Sequence, residues 1–148
     1  MSTCAFTGHR DLEDLDIALL DRVILHLVKN GCKKFLCGMA RGFDLTAAES
    51  VMALKKDYPD IELVACVPCD GQERYFSSGD KARYERIIKN CSRVVNLSES
   101  YYHGCMHARN RYMVDNSDVV VCYLRKKTGG TYYTVKYAEK KGVKCIQV

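Results

Sequence analysis

"KKFLCGMARGFDLTAAESVMALKKDYP", Lys33 to Pro59, is the stretch whose reading decides the fold. Its first six residues, 33–38, form a β-rich run of strand length. Residues 43–58 have the length and pattern of a helix, with Asp44 in position to act as N-cap and Pro59 just past the end. Between them lie two glycines, Gly38 and Gly42, in a turn that leads directly from strand to helix. The same unit recurs outward in both directions. Strand patterns cover 2–8, 61–67, 92–97, 118–124 and 143–148, and helical patterns cover 12–31, 80–91, 104–117 and 131–142. The helix over 12–31 carries a 3.6-period apolar stripe (Ile17, Leu20, Val23, Ile24, Leu27, Val28) closed by Gly31. Strands that alternate with helices imply right-handed βαβ crossovers and a sheet covered on both faces. The fold expected is α/β, a three-layer Rossmann-like domain with a mainly parallel sheet of about six strands. Residues 1–148 are expected to form one domain, since the length suits a single core and no linker or repeat interrupts the pattern.

The composition fits a globular chain, with 47% apolar and 28% charged residues. The longest apolar runs, such as "DVVVCYL" at 118–124, are far shorter than a membrane span, so no membrane association is expected. The N-terminal "MSTCAFTGHR" lacks a basic segment followed by an apolar one, and a cytoplasmic location is the expectation. A net charge of +5, spread along the chain, suits a small anion better than a nucleic-acid footprint. Nine cysteines are present; Cys4, Cys37, Cys66, Cys122 and Cys145 fall in strand-like runs, where a thiol serves as a small hydrophobe. "CVPC", Cys66 to Cys69, has no second pair at matching spacing, so no metal is expected.

Open parallel sheets bind ligands beyond the carboxyl ends of their strands, where the strand order reverses. The loops at that edge are 7–11, 38–43, 68–75, 98–104 and 125–131, and they are rich in Gly, His, Arg and Thr. "FTGHR" offers Thr7, Gly8 and Arg10. "CGMARGFD" sets Gly38 and Gly42 at a helix start, where unpaired backbone N–H groups suit an anion. "RKKTGGT" repeats the arrangement, with Thr128, Gly129 and Gly130 freeing the backbone and Thr131 offering a hydroxyl and a cap. His107 and Arg109 fall in the first turns of the helix 104–117, and Arg109 suits a bidentate contact with phosphate or carboxylate. Tyr101, Tyr102, Tyr132 and Tyr133 flank the same edge. The dinucleotide fingerprint G-x-G-x-x-G is absent, and no cofactor is expected.

Three of these stretches resemble the SLOG superfamily, which includes DNA-processing protein A and the LOG phosphoribohydrolases, and within it the small YpsA-like proteins. "FTGHR" with "CGMARGFDLTAAESVMAL" is similar to the Gly-rich turn of DNA-processing protein A, including Ala40 to Asp44. "VPCDGQERYFSSGDKARYERII" looks like the Pro-x-x-x-Gln segment of the YpsA-like group, with Pro68, Gln72 and Tyr84 in matching places. "MHARNRYM", Met106 to Met113, resembles a LOG helix. The resemblance implies a nucleotide or nucleotide-derived phosphorylated ligand and adds Arg41, Asp44 and Gln72 to the candidate site. It also implies a homodimer. LOG enzymes carry a catalytic Glu one helical turn past their Gly-Gly-x-Gly-Thr turn, whereas Tyr133 and Thr134 stand there in this chain. Glu139 lies about two turns further on. No catalytic residue is therefore assigned, and the expectation is a sensing or regulatory binder. The alternatives are a nucleoside 5′-monophosphate phosphoribohydrolase, with a carboxylate from Asp44, Asp70 or Glu73, and single-stranded DNA binding.

Overall fold

Six strands, each four to six residues long, hydrogen-bond into one sheet in the computed structural model, which describes residues 3–148. Ser2, placed in the first strand by its sequence, lies outside the described residues. The elements run β1 (Thr3–Gly8), α1 (Ile17–Lys29), β2 (Lys34–Cys37), α2 (Phe43–Leu54), β3 (Glu62–Val67), α3 (Ser78–Asn90), β4 (Arg93–Asn96), α4 (Cys105–Asp115), β5 (Val119–Tyr123), α5 (Gly129–Lys140) and β6 (Lys144–Gln147). A 3-10 turn over Gln72–Tyr75 interrupts the β3–α3 connection. Every strand pairing is parallel, in the order β4-β3-β2-β1-β5-β6. The fold is therefore the expected Rossmann-like α/β domain.

That order places the site. The chain steps from β1 outward to β4, then returns through α4 to β5 on the other side of β1. Consecutive connections thus diverge between β1 and β5, opening the sheet edge there. Side chains alternate across the strands and build two cores. Cys4, Phe6, Phe35, Leu63, Val121 and Tyr123 pack toward α1–α3, while Ala5, Leu36, Val64, Cys66, Val120 and Cys122 pack toward α4 and α5. Both faces are covered, which is why β5 reads as an unbroken apolar run.

Several helix ends differ from the sequence reading, and at the starts of α1, α2 and α5 the boundary or the cap differs for a local reason. α1 starts at Ile17 rather than Leu12, because Asp16 caps it by accepting the Leu19 N–H at 3.0 Å. Its far end is a Schellman closure, with Gly31 at φ 98 and the Cys32 N–H donating to Leu27 O. α2 starts from Gly42 at φ 84, so Asp44 lies inside the first turn and is not the N-cap. α5 starts at Gly129 with Thr128 as its N-cap, two residues earlier than expected. Thr131 is therefore a buried first-turn residue and not a cap. Among the described residues no helix is long and apolar enough to cross a membrane.

Candidate functional site

A cleft of about 830 Å³ opens at the β1–β5 divergence. Its floor is the end of β1, Phe6, Thr7 and Gly8, beside Tyr123 at the end of β5. Gly8 is required there by packing, because a Cβ would stand 2.3 Å from the Phe43 ring. Phe43 in turn stacks on Tyr123, with ring centroids 5.9 Å apart.

One wall is the start of α5, which contributes Thr128, Gly129, Gly130 and Thr131. The first amides of a helix have no intrahelical acceptor, and no side chain caps this one. Thr128 is extended and Gly129 has φ 90, so the chain turns sharply into the helix. Unpaired N–H groups and the positive end of the helix dipole therefore face the cleft. Arg125 and Lys126 from the same loop also line it. Arg125 is anchored, with its guanidinium 4.4 Å from the Tyr123 ring centroid and donating to Val148 O at 3.0 Å, and its backbone N–H donating to His9 Nε2 at 2.8 Å. Partial burial, then Lys126 and Arg125, push the His9 pKa down, which keeps the ring able to accept that bond.

The opposite wall holds Ala40, Arg41, Asp44, Gln72, Tyr75, Phe76, Met106 and Arg109. Arg109 is buried and committed on one side. Its Nη1 donates to Gly38 O, to Cys66 O at 3.4 Å and to Gln72 Oε1 at 3.4 Å, and its Nε donates to Asn110 Oδ1 at 2.7 Å. Nη2, 3.9 Å from the Met106 sulfur, is the part of the fork not taken by an oxygen among the described residues. Gln72 steadies this arrangement by donating from Nε2 to Gly38 O at 3.2 Å. Arg41 lies 5.5 Å from the Phe76 ring centroid.

Eleven of the fourteen candidate residues come together on this cleft: Thr7, Gly8, Arg10, Arg41, Asp44, Gln72, Arg109, Thr128, Gly129, Gly130 and Thr131. Three do not line it. A Cβ on Gly38 would meet the Arg109 guanidinium at 2.8 Å, so Gly38 makes room for that side chain. Gly42 backs onto the Arg10 carbonyl, which a Cβ would approach to 2.3 Å. His107 lies between α4 and α5, its ring 4.0 Å from Tyr133. Tyr133 accepts from Arg111 at 2.8 Å, and the Thr134 hydroxyl donates back to Gly130 O at 2.8 Å. Of the three carboxylates considered for catalysis, only Asp44 lines the cleft; Asp70 and Glu73 line a separate hollow of about 220 Å³ near β4.

A family model described as the YspA SLOG family, named YpsA, matches residues 5–146. The chain belongs to the YpsA family. Among its relatives, a UPF0398 protein of Halalkalibacterium halodurans is 31% identical over 137 residues, covering 90% of this chain and 72% of its own. The uncharacterized SPbeta prophage-derived protein YoqJ of Bacillus subtilis is 27% identical over 141 residues, covering 87% and 81%. Among solved structures, DNA processing protein A from Helicobacter pylori, a protein with a single-stranded DNA binding mode, superposes with a TM-score of 0.73 at 21% identity. That likeness covers 99% of this chain and 64% of the Helicobacter chain, and it bears on the fold alone.

Several lining residues of this YpsA-family cleft escaped the sequence reading. Tyr75 and Phe76 sit on the 3-10 turn and its exit, a connection with no helical period to flag it. Glu13 and Asp14 line the cleft from the β1–α1 loop, which the sequence reading had assigned to helix, and Asp11 stood in the predicted loop 7–11 without being singled out. Arg125 and Lys126 stood in the predicted loop 125–131, where only the Thr and Gly residues were singled out.

Proposed function

We propose that this protein binds a nucleotide or nucleotide-derived phosphorylated ligand in the β1–β5 cleft and holds it without cleaving it. The observation that carries this reading is the convergence of the uncapped α5 amides with Arg10, Arg125 and Arg109 Nη2 on one concavity at the strand-order reversal. Backbone amides and guanidinium groups are what a phosphate needs, and 830 Å³ is within the range of small-ligand pockets. The exposed Tyr75 and the neighbouring Phe76 supply an aromatic edge suited to a base.

Holding is favoured over cleavage by what α5 offers just past its first turn. Tyr133 is bonded to Arg111 and packed on His107, and the Thr134 hydroxyl is spent on Gly130 O. Glycoside cleavage ordinarily calls on a pair of carboxylates flanking the bond, and Asp44 is the one buried carboxylate lining the cleft, Asp11, Glu13 and Asp14 standing on the β1–α1 loop. Incubation with nucleoside 5′-monophosphates is expected to release no free base above background.

Single-stranded DNA binding is the second reading, favoured by the aromatic edge and by the fold shared with the Helicobacter protein. The cleft charges weigh against it. Arg10, Arg41, Arg109, Arg125 and Lys126 are offset there by Asp11, Glu13, Asp14 and Asp44, leaving little net attraction for a polyanion. Titration with the four ribonucleoside monophosphates and with a single-stranded oligonucleotide at two salt concentrations separates the readings. Saturable mononucleotide binding together with weak, non-saturating oligonucleotide binding supports the first, and the reverse pattern replaces it with the second.

A further inference from the structure

Most polar groups on the cleft wall are donors, and Asp44 is the buried exception. It sits in the first turn of α2, 6% exposed, and lines the cleft. Its Oδ2 accepts the Ala40 N–H at 3.2 Å, while its Oδ1 is buried and has no hydrogen-bond partner. Arg109, the cation whose charge acts on it, spends Nη1 and Nε on Gly38, Cys66, Gln72 and Asn110 and forms no ion pair with it among the described residues. An orphaned acceptor of this kind is rare and calls for a reason. The backbone is strained beside it as well: Met39, fully buried, has φ 63, the only positive φ at a non-glycine among the described residues. Such conformations persist where the surroundings hold them, often around ligands.

The sheet order says which part of a ligand would meet Asp44. The α5 amides follow β5, Asp44 follows β2, and Tyr75 and Phe76 follow β3. Across the sheet edge, Asp44 thus stands between the anion-binding end and the aromatic end. In a nucleotide, the group between phosphate and base is the sugar. We infer that Asp44 is the ribose-recognising residue of the cleft: a ribose hydroxyl donates to its Oδ1, making the ligand a ribonucleoside phosphate rather than a deoxyribonucleotide. The inference rests on the nucleotide reading above and adds the sugar to it. The protein leaves a carboxylate oxygen unsatisfied and the ligand supplies the missing donor. A site built to hydrogen-bond a hydroxyl discriminates against an analogue without it, because its own polar group is then left unpaired.

Calorimetric titration of the full chain with AMP, GMP, CMP and UMP, each beside its 2′-deoxy and 3′-deoxy counterpart, tests this. Ribose 5-phosphate and inorganic phosphate serve as further probes. At least one ribonucleotide is expected to bind ten-fold or more tighter than one of its deoxy counterparts. In Asp44→Asn that ratio is expected to fall toward one. The comparison among ligands needs no variant, so it stands even if Asp44→Asn folds poorly. Equal binding of ribo and deoxy forms by the wild type overturns the ribose assignment while leaving the nucleotide reading intact. Loss of affinity in Asp44→Asn without any sugar preference overturns it too, and assigns the carboxylate to the base. Absence of binding by every probe overturns both.

Discussion

Replacing Asp44 by Asn should change how stability depends on pH, and the size of the change follows from the site. Burial lifts the Asp44 pKa from 3.8 to about 6; the Arg109 charge and the Ala40 N–H act the other way and do not offset it. In the unfolded chain the carboxyl titrates near 3.9. Between about pH 4 and pH 6 the folded protein therefore holds a proton that the unfolded chain has lost, and stability falls as pH rises across that window. At 1.36 kcal/mol per unit, a lift of about two units amounts to roughly 3 kcal/mol in full, of which about 2 kcal/mol falls between pH 4.5 and 7. Asn keeps an acceptor for the Ala40 N–H and has no charge to bury. His9 acts in the opposite direction, since its pKa is lowered on folding and stability is lost as pH drops through its range. His9 is present in both proteins, so it cancels in the difference. Urea unfolding at pH 4.5 and pH 7 should show the variant gaining about 2 kcal/mol on the wild type, a midpoint shift of about 1 M at a slope of about 2 kcal/mol/M. Parallel pH profiles for the two proteins would refute the reasoning, because the Asp44 carboxylate would then be solvated rather than buried in the cleft wall.

Gly130→Pro removes one α5 amide in a first-turn position that tolerates proline; it should weaken AMP binding about ten-fold by calorimetry while shifting the thermal midpoint little. Gly8→Ala drives a methyl into the Phe43 ring and should cost about 1–3 kcal/mol in chemical denaturation. Gly129→Ala meets no atom within 4 Å but must hold φ near 90, so a loss of about 1–2 kcal/mol from backbone strain alone is expected. Arg83→Ala cuts the bonds from α3 to Glu49 and Thr46 of α2. The groups are partly exposed, so about 1 kcal/mol is expected, shrinking in 1 M salt.

The sheet was legible because its four inner strands, β1, β2, β3 and β5, are largely buried and read as short apolar runs between glycine or polar turns. Parallel pairing followed from the intervening helices, and the site's edge followed from parallel pairing. Boundaries were less legible where capping competes with periodicity. Leu12 and Leu15 extend the apolar stripe of α1, yet they pack on the core from a loop, since Asp16 fixes the start. Gly129 and Gly130 looked like a turn before a helix, but the helix begins at Gly129. The candidate site was legible in its glycines and arginines as types, not in their individual jobs. Gly38 and Arg109 are 71 positions apart, and only the folded chain shows that one exists to seat the other. Asp44 read as a helix cap, because its spacing from the strand cannot reveal which of its oxygens is satisfied.

The central claim, that the α5 amides and the Arg109 guanidinium on the facing wall receive a phosphate, is tested most directly by a ¹⁵N-resolved NMR titration with ribonucleoside 5′-monophosphates. Saturable shifts centred on the Gly129, Gly130 and Thr131 amides and the Arg109 side-chain Nε–H are the predicted result. Shifts confined to other surfaces, or none at millimolar nucleotide, would contradict it.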